Sequence, residues 1–285
     1  MGESLGTWEV YMFYVMAGSY LGSAILYWLW IGIKKDTVGR LANWAAAVGL
    51  LANTMAIVLR GLIAQRPPLA NGYEFILAFC WGIVVIYLLV RHFYKLEVLG
   101  GFVMPIALVL LGFIMMLMGP EERVASAIQP ALKSQWLTIH VATSILAYGA
   151  FAVSFGLGIM YLLKVGSSQT DDKDKQETWL DHFPSATVLD ELAYKVIGFA
   201  FPMLTLCIVT GAIWANYAWG TYWSWDPKET WSLITWIVYA AYLHARLMYG
   251  WKGKRTAWMA ILGFAVVLFT FFGVNYLLPG LHSYA

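Results

Sequence analysis

The chain has 285 residues, 61% of them apolar and only 12% charged. Soluble domains carry roughly 25% charged and 45–50% apolar residues, so this composition excludes an ordinary soluble enzyme and places the chain in the membrane class. The net charge of +2 gives no basic face for nucleic acid, because the positive residues are sorted between loops rather than clustered for a ligand.

A helix needs about 20 mostly apolar residues to cross the hydrocarbon, and eight runs qualify. The first, 8–33, follows MGESLGTWE, which lacks the basic n-region of a signal peptide, so it is expected to stay as a span. Lys34, Lys35 and Arg40 separate it from the second, 41–64. The third and fourth, 73–90 and 97–118, are joined through Arg91 and Lys95, and an outer loop at 119–135 leads to the fifth, 136–163. A polar segment at 164–195, with SSQTDDKDKQE at its centre, reads as partly disordered with a short surface helix near DELAYK. The sixth span is 196–218, and the seventh and eighth, 228–249 and 257–278, are joined by Lys252, Lys254 and Arg255. Thirteen of the eighteen Lys and Arg residues fall on one side. The positive-inside rule makes that side cytoplasmic and puts both termini outside. The expected fold is an all-α integral membrane protein, a bundle of about eight transmembrane helices forming a single domain over 1–285.

This topology assigns a depth to each histidine. His140 lies at the start of the fifth span, one helical turn below the outer surface, and His282 follows the last span in LPGLHSYA, also outside. His244 sits on the seventh span about 26 Å beyond Pro227, near the cytoplasmic end, and an ionisable residue inside a span is a functional candidate. His92 and His182 are read as interfacial or solvated. The two cysteines, Cys80 and Cys207, lie in apolar runs without CxxC or zinc-ligand spacing and read as small buried hydrophobes.

The connection between the sixth and seventh spans, WGTYWSWDPKETW at 219–231, is external as well. Asp226, Pro227 and Glu229 fit a helix start with a capping box. Tryptophans at an interface are common, but a belt is spread over all helices, whereas Trp219, Trp223, Trp225 and Trp231 are concentrated here. Trp223 and Trp225 alternate, so both point to one side if the segment is extended, and such rings suit a broad, flat, apolar ligand. Two imidazoles, one per face, would hold the iron of a porphyrin, whose carboxylates would need donors such as Lys228 or Arg60.

WGTYWSWDPKETWSLITW resembles the tryptophan-rich WWD signature of the haem-handling membrane proteins of cytochrome c maturation. The whole chain is most similar to the CcsA (ResC) type of the system II pathway, through PPLANGYEF, WLTIHV, YLHAR and the terminal LHSY. The resemblance implies haem b as cofactor and His140 and His282 as iron ligands over a surface built from Trp219, Trp223, Trp225, Asp226 and Trp231. It implies that His244 takes haem from the cytoplasmic side, together with a CcsB-type membrane partner that supplies the other transmembrane histidine. The substrate implied is an apocytochrome c with a Cys-x-x-Cys-His segment, and the location an inner (cytoplasmic) or thylakoid membrane. The chain would serve a cytochrome c synthase by positioning haem rather than by a nucleophile of its own. Two alternatives stand beside this: CcmC-type delivery of haem to a chaperone, which goes with six spans, and a b-type electron-transfer protein, which needs stacked histidine pairs.

Overall fold

The computed structural model describes residues 2–33, 35–125, 132–167, 180 and 183–278, and contains no strand among them. The long helices are α1 (Gly2–Ile33), α2 (Asp36–Ala64), α3 (Gly72–Tyr94), α4 (Gly100–Leu117), α5 (Gln135–Ser167), α6 (Ala186–Trp219), α7 (Pro227–Met248) and α8 (Lys254–Leu268). A π-helical turn, Phe269–Gly273, continues α8 into the short α9 (Val274–Leu277).

Among the described residues seven helices are long and apolar enough to cross a membrane, α8 and α9 counting as one continuous rod Lys254–Leu277. The remaining predicted span is α7. Its 22 residues reach about 33 Å, but Lys228 and Glu229 at one end and His244 and Arg246 at the other shorten its apolar stretch. Of these, Lys228, Glu229 and Arg246 have partners inside the protein, whereas His244 is exposed.

The start of α6 corrects the sequence reading. The helix begins at Ala186, with Ser185 Oγ accepting from Val188 N–H, so DELAYK forms its early turns and not a separate surface helix. The physical reason lies far away in the chain. Asp190 is 8% exposed and accepts from Arg246 Nη1 at 2.5 Å, Gly253 N–H at 3.0 Å and Thr256 Oγ1 at 2.8 Å. One carboxylate thus ties α6, α7 and α8 together, and a segment that looks solvated becomes buried.

The helices pack as antiparallel neighbours, α1 along α2 and α5 along α6, with α3 seated on α4 and α5, and α8 on α5 and α7. Small residues allow the closest crossings. The opposite end from the Asp190 cluster has its own lock: Arg60 pairs with Glu9 at 3.6 Å and Glu74 at 3.0 Å, and Arg66 pairs with Glu74 at 2.8 Å. These pairs join the start of α1, the end of α2 and the start of α3, so chain alternation sets the ends of α2, α4, α6 and α9 beside the starts of α1, α3, α5 and α7. Arg91, Lys95, Lys195, Arg246, Lys252, Lys254 and Arg255 gather at the other end.

Candidate functional site

The starts of α3, α5 and α7 and the ends of α6 and α9 line a cavity with a free volume of about 120 Å³, part of it open to the outside. Most of its wall is apolar: Phe75 from α3, Leu137 and Val141 from α5, Ile208 and Trp214 from α6, and Phe271 from the π turn.

α5 carries His140 onto this wall. Its Nδ1 lies 2.7 Å from the Cys207 carbonyl oxygen. A carbonyl can only accept, so Nδ1–H donates and the ring's lone pair is left on Nε2. That is the tautomer of a metal-ligating imidazole, oriented by a hydrogen bond through its other nitrogen. Gly211, one turn beyond Cys207 on α6, makes the bond possible: a Cβ there would sit 2.6 Å from His140 Nδ1. Trp214 lies on the same face of α6, 2% exposed, with its ring stacked towards the imidazole at 6.4 Å between centroids and 21° between planes.

Sequence reasoning missed Cys207, Gly211 and Trp214 as parts of the site. Their spacing of i, i+4 and i+7 puts them on one helical face, in the span that runs into the tryptophan-rich loop. Cys207 is indeed buried, but it acts through its main-chain oxygen, which no side-chain reading reveals.

The tryptophans of 219–231 separate into different positions. Trp223 lines the cavity. Trp219 packs edge-on against Trp214, with centroids 4.8 Å apart. Trp231 packs on Phe269 of the π turn at 4.2 Å. Trp225 is 68% exposed and has φ +60°, a left-handed conformation that costs a bulky residue about 1–3 kcal/mol. The expectation that Trp223 and Trp225 share one side of an extended segment is therefore corrected: their rings stand at 88° with centroids 5.7 Å apart. The left-handed residue turns the second ring out of the plane of the first.

Asp226 and Glu229 form the capping box expected from the sequence. Asp226 Oδ1 accepts from Lys228 N–H at 2.9 Å, and Glu229 Oε2 accepts from Ser224 N–H at 2.7 Å and Asp226 N–H at 3.3 Å. This pins the loop's geometry to the first turn of α7.

His282 lies outside the described residues, and so does His182. His244 is exposed on α7, directed away from its own bundle, with its ring 5.5 Å from that of Tyr249. It stands at the end opposite His140, and the fold does not bring the two together. His92 is exposed beside Phe93. Arg60 lies over the Tyr73 ring at 5.0 Å and is not on the cavity wall. Among the described residues no group of three or more His, Cys, Asp or Glu could hold a bare metal ion, whereas a metal already held by a macrocycle needs only one or two protein ligands. A neighbouring hollow with a free volume of about 380 Å³, open to the outside and flanked by Arg66, Lys133 and Gln135, shares Leu69, Ala70, Leu132 and Leu137 with the cavity.

The family model described as Cytochrome C assembly protein matches residues 69–282. The cytochrome c biogenesis protein CcsA of Guillardia theta is 39% identical over 275 residues, covering 92% of this chain and 91% of its own length. That of Gloeobacter violaceus is 36% identical over 306 residues, covering 91% of this chain and 90% of its own. A solved structure of the cytochrome c haem lyase CcmF matches with a TM-score of 0.71 over 94% of this chain. At 17% identity that likeness shows the fold alone, and this chain spans 46% of that protein's length.

Proposed function

This chain belongs to the cytochrome C assembly protein family and is a multi-pass membrane protein with a role in cytochrome c biogenesis, and from that premise we propose that it binds haem in the cavity beside His140 and presents it for covalent attachment to an apocytochrome c. The observation that carries this reading is the His140 imidazole, held by the Cys207 carbonyl with its lone pair on Nε2, at the wall of a mostly apolar cavity.

The residues present fit such a group. Nε2 of His140 can ligate iron, and the apolar wall suits the face of a porphyrin. We assign the group as haem b, with His282 as its second iron ligand. Haem supplies the vinyl carbons to which cysteine thiols become joined. What this chain contributes is placement: Trp223 and Trp214 bound the cavity, His140 orients the ligand, and the adjoining hollow receives the Cys-x-x-Cys-His segment of the acceptor. Holding the two reactants together raises their effective concentration, which is a large rate effect without a nucleophile from the chain itself.

The concentration of Lys and Arg at the end far from the cavity supports a non-cytoplasmic location for the site. His244 supports a second chain. An imidazole directed away from its own bundle can contribute to a haem path only where another protein covers it, which matches a CcsB-type partner. A b-type electron-transfer role would need histidines stacked across facing helices, and His140 and His244 lie at opposite ends.

A visible spectrum of the chain purified from membranes and reduced tests this. The sharp bands of low-spin, six-coordinate haem are expected, and replacing both His140 and His282 by alanine should abolish them. A chain with no haem bands, or one whose bands survive both replacements, overturns the assignment.

A further inference from the structure

Most hydroxyls on the cavity wall are already engaged. Ser144 Oγ donates to the Val141 carbonyl at 2.7 Å, Ser232 Oγ to the Glu229 carbonyl at 2.7 Å, and Thr270 Oγ1 to the Val266 carbonyl at 2.9 Å. Tyr222 is exposed, so its hydroxyl reaches solvent. Tyr148 differs from all of these. It lines the cavity half-buried, its ring packs edge-on against Phe79 at 5.9 Å, and its hydroxyl has no hydrogen-bond partner among the described residues. An O–H left unpaired beside apolar walls is costly, and an oxygen of a ligand would relieve that cost.

The fold sets this phenol beneath His140. Leu137, His140, Val141, Ser144 and Tyr148 form one face of α5, and Tyr148 stands about 12 Å of helix rise further into the bundle than His140. Helical side chains lean towards the N-terminus of their helix. α5 begins at the cavity end, so Tyr148 leans from the floor back towards the level of His140. Deeper still the bundle is shut. Phe151 and Tyr239 are fully buried, stacked ring on ring with centroids 3.5 Å apart, and neither lines the cavity.

The chemistry of the ring decides which oxygen the phenol meets. Haem b carries its carboxylates on one half of the ring and its vinyl groups on the other. Attachment to an acceptor needs the vinyl half at the cavity mouth, beside the adjoining hollow, which sends the carboxylate half to the floor. We propose that the Tyr148 O–H donates to a carboxylate of the tetrapyrrole and so selects the orientation with the vinyl half outward. This rests on the haem-binding reading given above. Tyr148 then acts in binding and orientation, through a hydrogen bond that a charged acceptor strengthens, and takes no part in making bonds.

The test is a titration of the full-length chain in detergent with haem b and with its dimethyl ester, followed by the Soret shift. The wild type should bind haem b more tightly than the ester. Tyr148→Phe, which removes only the hydroxyl, should cut that preference roughly ten- to hundredfold, the range for a hydrogen bond to a charged group, with little effect on the ester. Tyr239→Phe removes a hydroxyl that also lacks a partner but lies off the cavity, and it should change neither affinity. Equal affinities in the wild type overturn the inference without recourse to any variant. A preference that survives Tyr148→Phe, or is lost equally in Tyr239→Phe, overturns it as well. Absence of any His140-dependent shift with either ligand would overturn the haem-binding reading itself, which separates the two failures.

Discussion

Alanine at position 211 should strip the protein of most of its haem while leaving the bundle folded. A Cβ there would lie 2.6 Å from Nδ1 and 2.8 Å from Cε1 of His140, and both atoms belong to a side chain that can swing away. The imidazole would leave the Cys207 carbonyl, losing the bond that fixes its tautomer and direction. Loss of such an orienting partner costs about 10–100-fold in metal affinity. Fold stability moves the other way, since alanine is favoured over glycine within a helix by up to about 1 kcal/mol. Haem titration beside a thermal melt of the same preparation separates the two effects. Unchanged haem affinity in Gly211→Ala would mean that the His140–Cys207 bond does not support the ligand.

Valine at position 149 should be far more damaging, and for the opposite reason. Gly149 on α5 crosses Gly82 on α3 so closely that a Cβ would meet main-chain atoms: Gly82 C at 2.6 Å, Gly82 O at 2.7 Å and Ile83 N at 3.0 Å. Backbone cannot rotate out of the way, so the helices must separate. Overpacking of this kind costs about 1–3 kcal/mol or more, and parting α3 from α5 also opens the cavity, to which Phe75 and His140 belong. The propensity gain on leaving glycine is too small to offset this. The comparison is Gly112→Ala on α4, where nothing lies within 4 Å of the added carbon. Thermal midpoints in one detergent should fall steeply for Gly149→Val and stay within a few degrees of wild type for Gly112→Ala. A Gly149→Val protein with wild-type stability would refute the close crossing.

Much of this architecture is legible before any coordinates. The spans follow from the bilayer thickness, and chain alternation then puts His140, His282 and the tryptophan-rich loop on one face; the structure brings His140 and Trp223 to one cavity, while His282 lies outside the described residues. The capping box of Asp226 and Glu229 is equally readable, because it is a local pattern. What escapes local reading depends on long-range partners or on main-chain geometry. DELAYK looks solvated until Asp190 meets Arg246, 56 residues further along the chain. α7 looks like an ordinary span until its charges are seen to be held by neighbouring helices. The tryptophans look like a plate because alternation assumes extended backbone, and the positive φ of Trp225 breaks that assumption. The Cys207 carbonyl is invisible to any reading of side chains, since every residue carries one.

The central claim is that His140 ligates haem iron through Nε2. Its most direct measurement is the reduced visible spectrum of His140→Gly, purified with and without added imidazole. The account predicts loss of the low-spin bands in the variant and their return when imidazole fills the space left by the side chain. Low-spin bands at wild-type strength without imidazole would contradict it.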